Sequence, residues 1–297
     1  MSPTAAPPAP DLTPPADLPD QVAAALREDI GGGDVTARLV PEDQRVRGRL
    51  VTREEAVLCG RPWAEETFRQ LDTGIRLTWR AADGDRIAAG AVIFEIEGRA
   101  RPILTGERTA INFLQLLCGT ATQASRFVAA VAGTGCTVLD TRKTIPGLRS
   151  AQKYAVRCGG GRNHRMGLYD MVLIKENHIA AAGSLTAAIA AARRVAHGVK
   201  VEVEVESLHE LEEALGAGPD IVLLDDFSLE DLAAAVSINR RRRDTGTPGA
   251  RQVALEASGS VSLESVRAIA ATGVDFVSSG GLTKNVRAID LSMRLEF

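Results

Sequence analysis

The chain has 297 residues, of which 45% are hydrophobic and 25% charged, with a formal net charge of -3 at pH 7. That length supplies one large α/β domain or two smaller ones with ample material for a core. The charge balance excludes a general nucleic-acid binder, which needs a basic surplus over a whole face, yet leaves room for a local cationic pocket.

Residues 1–17 are rich in Pro and Ala with almost no large apolar side chain, a composition that predicts a flexible tail. From Leu18 the pattern is mixed. A short helix over Gln21–Glu28 precedes β-like pieces at Arg49–Thr52 and Ala91–Ile96, punctuated by Gly60, Gly84 and Gly90. A small α+β domain is expected from Leu18 to about Pro102. A long helix follows from about Gly106 to Ala132, with Ile111, Leu114, Leu117 and Cys118 at helical spacing and Thr105 placed as its cap.

Beyond this helix the rhythm changes. Apolar runs each end on a polar or small residue at Asp140, Lys175, Glu204, Asp225, Glu256 and Ser279. Helical segments between them open at Ser207 with Glu210, Ser228 with Asp231, and Ser262. Strand and helix in alternation predict parallel strands. The charged residues collect where the strands end, which favours a parallel β/α barrel of about six strands. An open doubly wound sheet fits less well, since its Gly-x-Gly-x-x-Gly fingerprint is absent.

The segment from Asp140 to His178 concentrates cations. Arg142 and Lys143, His164 and Arg165, and Lys175 sit beside turn glycines or at the end of an apolar run, as ligands for an anion would. Arg149, Lys153 and Arg157, spaced by four on a predicted helix, read instead as a solvated basic face. The triple glycine Gly159-Gly160-Gly161 would let the backbone approach a ligand.

Glu202, Glu204 and Glu206 alternate with valine and so share one side of a strand; of these, Glu204 pairs with Asp225 near the rim. Ser258-Gly259-Ser260 and Ser279-Gly280-Gly281, after the last two strands, are candidate phosphate nests. Cations, a phosphate nest and paired carboxylates suit transfer of a phosphorylated sugar to an anionic acceptor, with Glu204 and Asp225 stabilising positive charge on the sugar or holding magnesium. His178 is either an acid/base group or a structural hydrogen-bonding residue. Cys59, Cys118, Cys136 and Cys158 lie apart with no Cys-x-x-Cys or Cys/His pairing, which predicts reduced thiols and no zinc site. No run approaches a membrane span and no signal peptide opens the chain, so the expected compartment is the cytoplasm.

Thr141-Arg-Lys-Thr-Ile-Pro-Gly-Leu-Arg, Lys153-Tyr-Ala-Val, Gly159-Gly-Gly-Arg-Asn-His-Arg-Met-Gly-Leu and Ile174-Lys-Glu-Asn-His-Ile resemble the quinolinate phosphoribosyltransferases. Leu26-Arg-Glu-Asp-Ile, Gly106-Glu-Arg-Thr-Ala-Ile-Asn, Val201-Glu-Val-Glu-Val-Glu and Glu256-Ala-Ser-Gly extend the resemblance over nearly everything except the tail. It implies an α/β sandwich domain over 18–112 joined by residues 285–297, an open parallel β/α barrel over 113–284, a homodimer with shared sites, and Mg2+. The implied reaction joins quinolinate to phosphoribosyl pyrophosphate, giving nicotinate mononucleotide, carbon dioxide and pyrophosphate in NAD biosynthesis. Thr141, Arg142, His164, Arg165 and Lys175 would bind the acceptor, with Arg108 supplied by the neighbouring subunit. Lys143 would contact the donor, Glu204 and Asp225 its ribose and metal, and the two Ser/Gly turns its phosphate. A paralogous transferase acting on another acid and a non-catalytic phosphometabolite-binding barrel are the alternatives. The family pattern Leu-Asp-Asn-Phe is Leu224-Asp-Asp-Phe here, so Asp226 adds a charge beside Asp225; Ser260 and Lys284 also depart from it.

Overall fold

The computed structural model describes residues 11–244 and 253–297. Two compact units emerge. The first takes in the chain up to Ser125, Ile145–Gly160 and Asn285–Phe297; the second takes in Arg126–Thr144 and Gly161–Lys284.

In the first unit, α1 (Leu18–Ile30) is longer at both ends than the expected 21–28, with Pro19 in its first turn and Gly31 at its C-terminal end. Pro is well suited to a first turn, where its missing N–H is no loss. There follow β1 (Arg45–Thr52), β2 (Ala56–Val57), α2 (Arg61–Leu71), β3 (Arg76–Trp79), β4 (Arg86–Ile87) and β5 (Val92–Arg99). The C-terminal strand, introduced below, pairs antiparallel with β1, which pairs antiparallel with β5, and β5 with β3. Leu50, Phe68, Phe94, Ile96, Ile111 and Leu114 fill the core beneath this sheet, each such side chain contributing about 1.5–3 kcal/mol on burial.

The long helix α3 (Ala100–Ala130) begins six residues earlier than predicted, because Pro102 falls in its first turn. Thr105 is therefore inside the helix and not its cap. Its hydroxyl reaches Asp34 Oδ2 at 2.9 Å and the Arg101 carbonyl at 3.0 Å. The expected boundary at 112 is also displaced, since Phe113, Leu114, Leu117, Cys118 and Ala121 still pack into the first unit's core.

After β6 (Thr137–Leu139) comes α4 (Arg149–Cys158), whose Ala151, Tyr154, Ala155 and Cys158 pack with Leu18, Val22 and Trp63 of the first unit. Two readings change here. Lys153 is fully buried, so the 149/153/157 stripe is not a solvated face. Gly159 is required by close approach to α3, where any Cβ would collide with the Ala121 carbonyl and lie 2.6 Å from Ala124 Cβ, and not by a ligand. Residues 11–17 are likewise tied down: Arg157 Nη2 donates to the Thr13 carbonyl at 3.1 Å and the Ser150 hydroxyl to Asp17 Oδ2 at 2.8 Å. The rest of the predicted tail, residues 1–10, lies outside the described residues.

The second unit continues with β7 (Met171–Ile174), α5 (Glu176–Ala182), α6 (Leu185–Val195), β8 (Lys200–Val205), α7 (Leu208–Ala217), β9 (Ile221–Asp225), α8 (Leu229–Asp244), β10 (Ala254–Ser258), α9 (Val266–Ala271), β11 (Phe276–Ser278) and α10 (Gly281–Lys284); β12 (Leu291–Glu296) closes the chain in the first unit. Ser207 and Ser228 cap α7 and α8, accepting from the Glu210 and Asp231 N–H groups at 3.2 and 3.1 Å. At α9 the helix starts later than predicted, because Ser262 and Ser265 bond each other in a preceding turn. The six strands are all parallel in the order β6-β11-β10-β9-β8-β7. Numbered within the unit, that order is 1-6-5-4-3-2, the cyclic order of a β/α barrel opened between its first and second strands. Among the described residues no helix is long and apolar enough to cross a membrane.

Candidate active site

Parallel strands bring their C-terminal ends to one rim, and register decides what faces inward. Glu204 pairs with Leu223, which pairs with Glu256; Glu202 pairs with Ile221 and Leu173; Asp225 pairs with Ser258. These residues share one face, and the alternating Val201, Val203, Val205, Val222, Leu224, Leu255 and Ala257 are buried on the other. Of the three alternating glutamates, Glu202 is fully buried, Glu204 is nearly so, and Glu206 passes the strand end into solvent.

At the rim Lys175 forms an ion pair with Glu204, its own side chain remaining 45% exposed. Its backbone N–H donates to His178 Nδ1 at 3.0 Å, so His178 caps α5 and has the structural role of the two considered. Asp225 has a raised pKa, because burial and the charges of Glu204 and Asp226 outweigh the nearby Lys175 and Lys143. Two carboxylates and two ammonium groups thus converge at the ends of β6, β7, β8 and β9.

Lys143 lies in the turn after β6. Its N–H donates to Thr141 Oγ1 at 3.1 Å, and its carbonyl accepts the Thr283 hydroxyl at 2.8 Å. Its side chain runs across Gly280, where a Cβ would stand 2.7 Å from Lys143 Cδ and 3.4 Å from Thr141 Oγ1. The β11 turn thereby joins the β6 turn.

The turn after β10 has a different lock. Asp226 holds a left-handed backbone, φ 52°, its N–H donates to the Ser258 carbonyl at 3.1 Å, and its Oδ1 accepts the Ser260 N–H at 3.1 Å. Gly259, φ 122°, leaves space for that carboxylate, with which any side chain would collide. Ser260 therefore offers its N–H to Asp226. Ser279 donates its hydroxyl to the Val261 carbonyl at 3.1 Å and accepts the Gly281 N–H at 3.2 Å. Of the six candidate phosphate residues, Gly280 is the one set against Lys143.

Arg142 and Arg165 are half-buried neighbours. Burial and the Arg142 charge lower the pKa of Arg165, and Arg142 Nε is buried with no hydrogen-bond partner. Two guanidinium groups held side by side at that cost are suited to an anion with two negative groups. His164 sits differently from a rim ligand. Asp140, fully buried at the end of β6, accepts the His164 N–H at 2.9 Å and Asn163 Nδ2 at 2.6 Å. The imidazole Nε2 points inward, 3.0 Å from Glu202 and 3.5 Å from Glu256, and Nδ1 accepts the Arg165 N–H at 2.8 Å. Burial opposes a charge on the ring and the two carboxylates favour one, and Nδ1 accepts the Arg165 N–H only in the ring form that carries its proton on Nε2; burial raises Glu202 to about 7. Arg108 is exposed on α3 in the first unit.

Residues 34–118 and 120–294 match the N-terminal and C-terminal domains of quinolinate phosphoribosyl transferase. The chain belongs to the quinolinate phosphoribosyltransferase family. It is 43% identical to a nicotinate-nucleotide pyrophosphorylase [carboxylating] of Mycobacterium leprae over 93% of this chain and 96% of that one. A probable enzyme of the same name from Bacillus subtilis is 40% identical over 90% and 89%. Among solved structures, the nicotinate-nucleotide pyrophosphorylase from Francisella tularensis superposes with a TM-score of 0.90 at 48% identity, covering 96% of this chain and 98% of that one. Within this family framework, Asp140, Glu202 and Glu256 are the polar residues that sequence reasoning did not assign to the site. Their signal was there: each is a carboxylate inside or at the end of an apolar strand.

Proposed function

We propose that this protein transfers phosphoribose from phosphoribosyl pyrophosphate to quinolinate, releasing pyrophosphate and carbon dioxide and forming nicotinate mononucleotide for NAD biosynthesis. The observation that carries this reading is the Arg142–Arg165 pair, two guanidinium groups crowded together, with the buried Arg142 Nε lacking a hydrogen-bond partner. A dicarboxylate satisfies both; a monocarboxylate leaves one uncompensated. Family membership agrees with this acceptor.

In the reaction, Arg142, Arg165 and Lys175 hold the acceptor carboxylates, and Lys143, laid over Gly280, meets the donor. As the bond from ribose to pyrophosphate breaks, positive charge grows on the sugar, and Glu204 and Asp225 lie where they stabilise it. The pyridine nitrogen forms the new bond to the ribose carbon. The ring, now cationic, accepts the electron pair left when the adjacent carboxylate departs as carbon dioxide, and a proton then takes that carbon position.

Glu204 and Asp225 are hard oxygen donors at neighbouring strand ends, and burial together with the charges of Glu204 and Asp226 raises the Asp225 pKa, a cost that a divalent cation relieves. They fit Mg2+, which would neutralise the donor's pyrophosphate. We further propose a cytoplasmic homodimer in which exposed Arg108 completes the partner's acceptor site. Calorimetric titration of the protein with quinolinate and with nicotinate tests the acceptor assignment. Quinolinate should bind at least ten-fold more tightly, and equal affinities would overturn the reading.

A further inference from the structure

The two segments that carry the paired arginines, 141–144 and 162–165, are separated in the chain by α4 and meet again at the end of β6. Arg162 lies beside Leu139 in a parallel bridge. Its N–H donates to the Val138 carbonyl at 2.9 Å, and its carbonyl accepts the Asp140 N–H at 3.2 Å. This single rung sits on the edge of β6 that does not face β11. Where the rung stops, a side chain takes over. Asp140 is fully buried, and one of its oxygens accepts Asn163 Nδ2 at 2.6 Å while the other accepts the His164 N–H at 2.9 Å. An acid at that depth costs several kcal/mol unless its neighbours compensate it, which an apolar residue would not require.

We propose that Asp140 is a positioning residue of the acceptor site, whose carboxylate sets the spacing between the segment bearing Arg142 and the segment bearing His164 and Arg165. Along the chain it stands two residues before Arg142; through space it grips the two residues before Arg165. One buried group therefore ties both arginine-bearing segments to the end of the same strand. The tie is needed because the two guanidinium groups repel each other, and the Arg142 charge, after burial, is what lowers the Arg165 pKa. With a slack link the pair would spread in the empty site, and a dicarboxylate would have to draw it together on binding, at a cost in affinity. Asp140 has no exposed surface and acts through these neighbours, not on the ligand. The role rests on the acceptor assignment made above.

The test is a hydrogen-bond exchange on the intact protein, with binding of quinolinate and of phosphoribosyl pyrophosphate by the wild type measured first. Asp140→Asn keeps the volume and one acceptor oxygen, but turns an amide N–H toward the second of the two donors. Its quinolinate KM should rise about ten-fold or more, the displacement of a binding group being costly even at about 1 Å. The phosphoribosyl pyrophosphate KM should stay near the wild-type value, whereas a general loosening of the fold would move both. Adding Asn163→Asp rebuilds the clamp with its charge on the other side: the amide oxygen at 140 accepts the His164 N–H, and the amide nitrogen donates to the carboxylate at 163. The doubly exchanged enzyme should recover most of the lost quinolinate affinity. A wild-type quinolinate KM in Asp140→Asn, equal losses for the two substrates, or an exchanged pair no better than the single variant would each overturn the proposal. Should Asp140→Asn fail to fold, Asn163→Ala decides: releasing one of the two held groups should raise the quinolinate KM selectively, and an unchanged KM would sink the idea. A folded wild-type protein that binds phosphoribosyl pyrophosphate but not quinolinate would instead refute the acceptor assignment, and this role with it.

Discussion

Gly280→Ala separates the space that glycine provides from the conformational freedom it usually signifies. Gly280 is not among the residues of positive φ, so alanine fits the backbone there without strain. What it meets is Lys143, whose Cδ would lie 2.7 Å from the new methyl carbon. Carbon atoms settle at about 3.5–4.0 Å, so the lysine chain must move by roughly 1 Å. Lys143 is exposed and flexible, and the fold loses little; surface changes of this kind stay within about 0.5 kcal/mol. Activity is another matter, since a misplacement of about 1 Å at a reacting group costs on the order of 100-fold. Steady-state kinetics with varied phosphoribosyl pyrophosphate, beside thermal melts, should show kcat/KM down by ten- to a hundred-fold with Tm almost unchanged. Lys143→Ala should lose more, again without unfolding. Wild-type kinetics in Gly280→Ala would remove Lys143 from donor contact, and a collapse in Tm would mean the β11 turn was packed for stability and not for the site.

Other perturbations probe separate parts of the account. Asp226→Asn keeps the acceptor for the Ser260 N–H and suits the left-handed backbone, yet removes a charge beside Asp225. The donor KM should fall several-fold, about 1 kcal/mol for one nearby charge in a wet site, and an unchanged KM in initial-rate assays would show that Asp226 does not face the donor. Asp83 accepts from the Tyr154 hydroxyl at 2.7 Å and from the Gly60 and Arg61 N–H groups at 3.1 and 3.2 Å. Asp83→Ala strands all three donors and should cost about 2–3 kcal/mol in urea unfolding; a loss under 1 kcal/mol would mean that water replaces the carboxylate. Asp34 accepts from the Ala37 N–H, the Thr105 hydroxyl and the Thr36 N–H, which hold its pKa below the ordinary value. Its contribution is therefore complete above the unfolded-state pKa and is lost as pH falls through the folded one. Asp34→Asn should flatten that acid limb of a stability-against-pH curve, and an identical acid limb in the variant would assign it to other carboxylates.

Much of this architecture was legible because its signals are local. Apolar strands that end on Asp140, Lys175, Glu204 and Asp225 announce a rim, since a parallel sheet buries both faces and leaves charge only where strands stop. Ser207 and Ser228 announce helix starts through their own hydrogen bonds. What stayed hidden depends on contacts made far along the chain. Lys153 looks solvated at a spacing of four, but α4 is packed almost all round, so a stripe along its surface does not mark the exposed side. Thr105 looks like a cap because it directly precedes the helical spacing from Gly106; Pro102 is tolerated in a first turn, and the helix begins before it. Glu256 reads as a rim residue by its place in the strand, and register with Leu223 sets it level with Glu204, facing inward to His164. The ring's orientation follows from three strands at once, which no short segment encodes.

The most direct test of the central claim is a stoichiometric assay. Purified protein, quinolinate, phosphoribosyl pyrophosphate and magnesium are incubated together, and nicotinate mononucleotide and carbon dioxide are counted against quinolinate consumed. The account predicts one of each per quinolinate, with no carbon dioxide when the donor is omitted. Carbon dioxide released without nucleotide, or no turnover in a folded protein with magnesium present, would contradict it.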